Sequence, residues 1–481
     1  MKKTYILLLA FSVLFTALDV TAHAQTLTPL ITTYEQFATV TSPNTFYTNT
    51  MDRYKSISVY PDAVLTYLEG RFYSSSGFVD NNYFAYNRGT TNLQLVSISE
   101  KVHMLDFEHL PGTDYVAFCG YVDDLSAPYN RIGLLGWFDI STLNATSPIA
   151  PTYNILRLDD YVQVERIVPY SAFGSIYFAA IGKKRSNNAW EYTFLQCNHF
   201  SNSTSPSIQA YPVQSKQRPM DIVRTENYLV FIGIDYTYSL NSNIIFIRKS
   251  TFNDFTNCIT TADLDNFFYY TETDGDYAME VTGTYMGNEV TPSGDMIIVG
   301  GQMNLNNGQY SSRYRVIDAG SMNNTNSQQF LLAGKMALWD MAYMHTSGML
   351  ATLQGGDPLT GNTPCTVLML KPTATTNYTT DGIQESSNST FVSLDNLNHS
   401  ASDCVHFVMG GNSTQITWFL KNSTNLPSAG GCNIVKQYDI EPVVSLAPIP
   451  SMDANTFTSV NNVKENITGQ LNSLQSNTCQ P

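Results

Sequence analysis

Seven acidic residues recur in one local setting along this chain, and they are the first place to look for chemistry. They stand in TMDRY (Asp52), MLDFE (Asp106), QVERI (Glu165), PMDIV (Asp221), AMEVT (Glu280), LWDMA (Asp340) and SLDNL (Asp395), with an apolar residue directly before each. Their spacings are 54, 59, 56, 59, 60 and 55 residues. If the segments bearing them line a common channel, the carboxylates form an anionic mouth that would take a cation or sugar hydroxyls. Two carboxylates at the right separation are also what glycoside cleavage requires. Seven brought close together would repel one another, so several would have to protonate or bind a counter-ion. The alternative is structural, each acid accepting hydrogen bonds from backbone N–H groups of its own or the next unit and fixing their spacing. Repetition favours the structural role, because a catalytic pair needs two residues and not seven.

Two other groups of residues have chemistry in reach. The stretch DLDNFFYYTETDGDYAME gathers Asp263, Asp265, Glu272, Asp274 and Asp276 ahead of Glu280. Closely spaced hard oxygen ligands around a glycine suit Ca2+, although the pattern departs from the EF-hand loop and an acidic surface loop is the plainer reading. Asp123 and Asp124 in GYVDDLSAPYN are a weaker version of the same feature. Tyr236 and Tyr238 in GIDYTYSLNSN, and Tyr310 in NLNNGQYSSRY, place aromatic rings beside Asn and Gln in loops, a combination suited to neutral polar ligands such as glycans. Trp137, Trp190 and Trp418 fall in apolar strand segments and read as packing residues. Compact catalytic signatures are missing: the sequence has no HExxH, GxSxG, Walker loop or GxGxxG after a strand.

The elements that must carry these residues repeat with them. Each acid is followed by a polar turn and then an apolar strand ending on glycine: LTYLEGRF (Gly70), YVAFCGYV (Gly120), IYFAAIGKK (Gly182), YLVFIGIDY (Gly233), MIIVGGQM (Gly300), MLATLQGG (Gly355) and VHFVMGG (Gly410). Third strands follow, as in IGLLGWFDI and NIIFIRKS, and weaker fourth strands such as YNILRL and SIQAYPV precede the next acid. Four short strands at this period predict an all-β chain folded as a seven-bladed β-propeller of four-stranded blades. Two or three β-sandwich domains are the competing arrangement, but they do not account for sevenfold local similarity. The turn-and-strand piece TPSGDMIIVGG, residues 291–301, resembles the repeat of secreted bacterial propellers, particularly exported Bacteroidetes proteins. That resemblance covers about ten residues per unit and implies a fold without a particular activity.

Composition and the ends complete the expectation. Residues 1–24 have the layout of a secretory signal peptide: Lys2 and Lys3, an apolar run, then Ala22-His23-Ala24. The run is too short to span a membrane. Residues 25–442 are assigned to the propeller, with residues 25–45 able to supply a strand to the last blade. Residues 443–481 form a polar C-terminal tail, extended or partly disordered. Only 14% of residues are charged, while Tyr (30) and Phe (25) are abundant, which is the palette of an extracellular β protein. The net charge of −15 argues against nucleic acid and anionic membranes. The seven cysteines include no CxxC pair, and Cys119 reads as a buried free thiol. The expectation is a monomer that is secreted, periplasmic or on the cell surface. It would act as a non-catalytic binding or adhesion module for glycan or protein, with an extracellular carbohydrate-active enzyme, a glycosidase or lyase, as the alternative.

Overall fold

The computed structural model describes residues 34–38, 56–60, 63–74, 77–88, 92–98, 101–110, 112–143, 150–172, 175–186, 189–198, 206–213, 217–235, 244–251, 267–268, 277–287, 295–304, 310–320, 329–333, 337–344, 348–355, 366–374, 378–384, 389–396, 405–411, 415–421, 434–443, 458–459, 463–468, 470–473 and 477–479. Residues 1–24, read from the sequence as a signal peptide, lie outside them. The described residues are all-β, strands with two 3-10 turns and no α-helix. No helix among them is long and apolar enough to cross a membrane.

The strands form antiparallel meanders in chain order. One sheet runs Ser56–Tyr60, Ala63–Ser74, Gly77–Arg88, Asn92–Ser97. The next runs Val102–His109, Tyr115–Asp123, Arg131–Asp139, Thr152–Leu158, and the third Gln163–Ala172, Ser175–Ser186, Ala189–Asn198, Ser207–Pro212. The fourth comprises Gln217–Arg224, Tyr228–Asp235, Ile244–Thr251 and Phe267–Phe268. Two further four-stranded runs, from Tyr277–Gly287 to Gln329–Ala333 and from Ala337–Met344 to Tyr378–Gln384, share one nine-stranded sheet because Ile434–Val443 pairs with the last strand of both. The last sheet takes three strands from late in the chain, Ser389–Asn396, Val405–Gly411 and Gln415–Lys421, and a fourth from early in it, Tyr34–Ala38.

Side-chain alternation explains why the second strands read as unbroken apolar runs. Successive residues of a strand point to opposite faces, and both faces of these sheets are covered. In the third sheet Phe178 and Ala180 pack with Ala117, Leu135 and Leu156 of the second. Ala179 and Ile181, one step out of phase, pack with Ile222 and Phe231 of the fourth. The same face-to-face cores recur from the first sheet to the second and from the fourth onward. Covering both faces calls for the apolar continuity otherwise seen in buried parallel strands.

The first strands of the sheets are neighbours in succession. Val102–His109 lies against Gln163–Ala172, then Gln217–Arg224, Tyr277–Gly287, Ala337–Met344 and Ser389–Asn396 follow, each against the one before. Ser389–Asn396 also meets Ser56–Tyr60, which in turn meets Val102–His109. Beyond residue 443 the chain adds short strands to the fourth strands of the third, second, first and last sheets in turn. Thr458–Ser459 pairs with Ser207–Pro212, Val463–Thr468 with Thr152–Leu158, Gln470–Ser473 with Asn92–Ser97, and Asn477–Cys479 with Tyr34–Ala38. An outer edge that would otherwise present unpaired N–H and C=O groups is thereby occupied.

Candidate functional site

Every first strand carries a register shift against its second strand, a β-bulge in which one residue is left unpaired. Asp106, Asp221, Glu280 and Asp340 are the first paired residues after it. In the third sheet Glu165 is itself the unpaired residue, and Arg166 takes the paired position. In the last sheet that position falls to Ser393, while Asp395 pairs with His406 further along. The bulge also accounts for a glycine in the facing strand: a Cβ on Gly120 would collide with the carbonyl of His103.

These positions thread a polar chain through the first strands of four consecutive sheets. Asp106 is buried, and its Oδ2 accepts the N–H of Ile167 from the next sheet at 2.9 Å. Beside Ile167, the Arg166 guanidinium reaches towards Asp221 of the fourth sheet, Nε to Oδ1 3.8 Å. Burial opposes the charge on Arg166, but Asp106, Asp221 and Glu165 together raise its proton affinity above that of an ordinary arginine. Asp221 then accepts the Thr282 hydroxyl and the Gly283 N–H of the following sheet on Oδ2, both at 2.9 Å, and its own neighbour's N–H, that of Ile222, on Oδ1. A carboxylate offers about four lone-pair directions. Ile222, Thr282 and Gly283 supply three donors to Asp221 and Arg166 adds a nearby positive charge, so most of its capacity goes to joining sheets. Glu165 accepts from Gln163 at 2.8 Å and lies 3.3 Å from the Lys183 ammonium. Asp340 accepts the N–H of Met341.

Asp295, inside the TPSGDMIIVGG piece, makes a second junction. It is buried, and its Oδ2 accepts the Thr225 hydroxyl and both the backbone and side-chain N–H of Asn227 at 2.9 to 3.0 Å. It thus holds the turn of the fourth sheet against the start of an apolar strand in the next. Its sequence signal is an acid at the mouth of that strand, where only hydrogen-bonded burial would be tolerated.

Exposed chemistry lies on the turns between second and third strands of the second and third sheets. Trp190 is 45% exposed and Tyr129 is 47% exposed, their ring centroids 5.9 Å apart and inclined by 49°. The Arg185 guanidinium lies 4.8 Å from the Tyr129 centroid and 5.4 Å from that of Trp190. Lys183 sits 4.6 Å from the other cation's tryptophan. Tyr129 and Asn130 both adopt the left-handed region, φ 66° and 57°, a conformation that costs a tyrosine. The loop is closed by Asp124 N–H donating to the Asn130 carbonyl, and by Arg157 on the Asp124 carboxylate. Hydrogen bonds from Ser126, with help from Arg157, hold the Asp124 carboxyl below the usual range. Asp123 is bonded to His103 at 3.0 Å.

Of the residues singled out in the sequence, Asp52, Tyr236, Tyr238, Asp263, Asp265, Glu272, Asp274 and Asp276 lie outside the described residues. Tyr310, Glu280 and Asp395 are placed in strands, with their side chains outside the description. Among the described residues no group of three His, Cys, Asp or Glu could hold a metal ion. Trp137 is buried between sheets, while Trp190, expected to pack, is exposed because it stands next to its turn. Arg166, Asp295 and Tyr129 were not anticipated: an arginine after a glutamate, an acid in a turn and a loop tyrosine carry little local signal. Cys119 and Cys197 are buried free thiols. No protein-family model matches the chain, and no curated protein is significantly similar to it.

Proposed function

We propose that the chain is an exported seven-bladed β-propeller that acts as a non-catalytic binding or adhesion module for glycan or protein. The ring is supported by the succession of neighbouring first strands, which returns from Ser389–Asn396 to Ser56–Tyr60. Pairing of Tyr34–Ala38 with Gln415–Lys421 fits the same closure, in which an early strand completes the last blade. Export is supported by the layout of residues 1–24.

The observation that carries the binding reading is the engagement of Asp221 by three hydrogen bonds, with the Arg166 guanidinium close by, all from its own and the adjoining sheets. A hydrolytic carboxylate must face substrate with lone pairs free or a proton to give; this one already holds three protein donors beside an arginine. The chemistry left for ligands is that of the exposed turns. The test is to incubate the mature protein with a polysaccharide and protein panel, recording binding and product release in the same samples, with and without Ca2+. Binding without release is expected. Release of sugar products by the wild-type protein overturns the reading in favour of a carbohydrate-active enzyme.

A further inference from the structure

We infer that Tyr129, Arg185 and Trp190 form a recognition site for a carboxylate-bearing sugar, which rests on the binding-module reading and supplies it with a site and a ligand class. The three side chains come from two different sheets yet converge, two half-exposed rings with a guanidinium over both. Large exposed aromatics are otherwise few: among the described residues, only Tyr115 and Leu125 join Tyr129 and Trp190 as large exposed hydrophobics.

Charge directs the choice of ligand. Acids of the same two hairpins are engaged elsewhere, Asp123 with His103, Asp124 with Ser126 and Arg157, and Glu191 with Lys184, while Glu165 of the adjacent first strand lies beside Lys183. Arg185 forms no ion pair with a described residue and makes its contacts with the two rings. Stacking on rings orients a guanidinium while leaving its in-plane N–H groups directed outward, a fork that matches a carboxylate. The exposed ring surface beside it suits the apolar C–H face of a pyranose. A sugar carrying a carboxylate satisfies both at once, whereas a neutral sugar leaves the guanidinium unused. The net charge of −15 does not forbid this, because at physiological ionic strength fields are screened beyond about 8 Å.

The loop geometry fits a site formed in advance. Tyr129 is in a left-handed conformation within a loop closed through Asp124, Asn130 and Arg157, so the direction in which its side chain leaves the backbone is set before any ligand arrives. Less ordering is then required on binding.

The test is calorimetric titration of the full mature protein with trigalacturonate, its methyl ester, galactotriose, a sulfated trisaccharide and an acidic peptide. Trigalacturonate is expected to bind, with the methyl ester and galactotriose at least tenfold weaker. Arg185→Gln and Trp190→Ala should each weaken trigalacturonate about tenfold, about 1.4 kcal/mol, and Arg185→Lys should recover little because it lacks the fork. All three residues are exposed enough for unchanged melting curves to be expected in the variants. Equal binding of acid and ester, preference for the sulfated sugar or the peptide, or wild-type affinity in the variants overturns the inference while the binding-module reading stands. Absence of binding to every probe overturns the inference, and the separate panel for product release and protein binding then decides the broader reading.

Discussion

Replacing Asp106 tests the polar chain most directly. Asp106→Ala removes the acceptor for the Ile167 N–H and one of the charges that sustain Arg166. A hydrogen bond to a charged group contributes about 1.5 to 3 kcal/mol, and stranding a buried partner raises the cost towards about 3 to 5 kcal/mol. Asp221 and Glu165 still face Arg166, whose side chain keeps 19% of its exposure, so the lower part of that range applies. The expected loss is about 3 kcal/mol. Asp106→Asn retains an oxygen acceptor and loses the charge, for which about 1 to 2 kcal/mol is expected. Urea unfolding monitored by tyrosine and tryptophan fluorescence, compared at a common slope, measures both. A double-mutant cycle with Arg166→Met should show coupling of about 1 kcal/mol. The reasoning fails if Asp106→Ala lies within about 0.5 kcal/mol of wild type, or if the two substitutions are additive.

Three further outcomes are expected. The Tyr153 hydroxyl is buried without a hydrogen-bond partner among the described residues, amid Phe84, Phe118 and Phe138, so Tyr153→Phe should be neutral or stabilise by about 1 kcal/mol in the same urea assay. Burial pushes the Cys197 thiol from 9.0 up to about 12. The folded state therefore favours the protonated thiol, its contribution to stability is complete below pH 9 and is lost as the pH rises towards 12, and Cys197→Ala should flatten that decline in an alkaline unfolding series. Deleting residues 458–481 uncovers outer edges at Ser207–Pro212, Thr152–Leu158, Asn92–Ser97 and Tyr34–Ala38. A lower Tm and concentration-dependent light scattering should follow, and unchanged behaviour in both would refute an edge-covering role.

The strands were legible in the sequence because sheets covered on both faces need long apolar runs, and MIIVGG or YLVFIG can satisfy that demand in few other ways. The recurring acids were legible by context as well, and Asp106 and Asp221 now have named partners in adjoining sheets. What the sequence does not carry is the bulge. One unpaired residue moves the pairing position from Glu165 to Arg166, and nothing in QVERI distinguishes those two outcomes. Trp190 misleads for a related reason: its strand is apolar, but proximity to a turn governs its exposure more than hydrophobicity does. The Tyr129 site depends on two hairpins brought together across sheets, a juxtaposition no local window contains.

The sheet that contains Tyr34–Ala38 has a temporal consequence. Synthesis delivers that strand early, but its partners Gln415–Lys421 and Asn477–Cys479 emerge late. Such distant pairing is slow to form, because the closure entropy must be met before contacts repay it. Until then the early strand is unsatisfied. Completion of this one sheet therefore reports that the chain has been made as far as Cys479, and a chain cut short of it would display an open strand edge that proteases and holding chaperones can read.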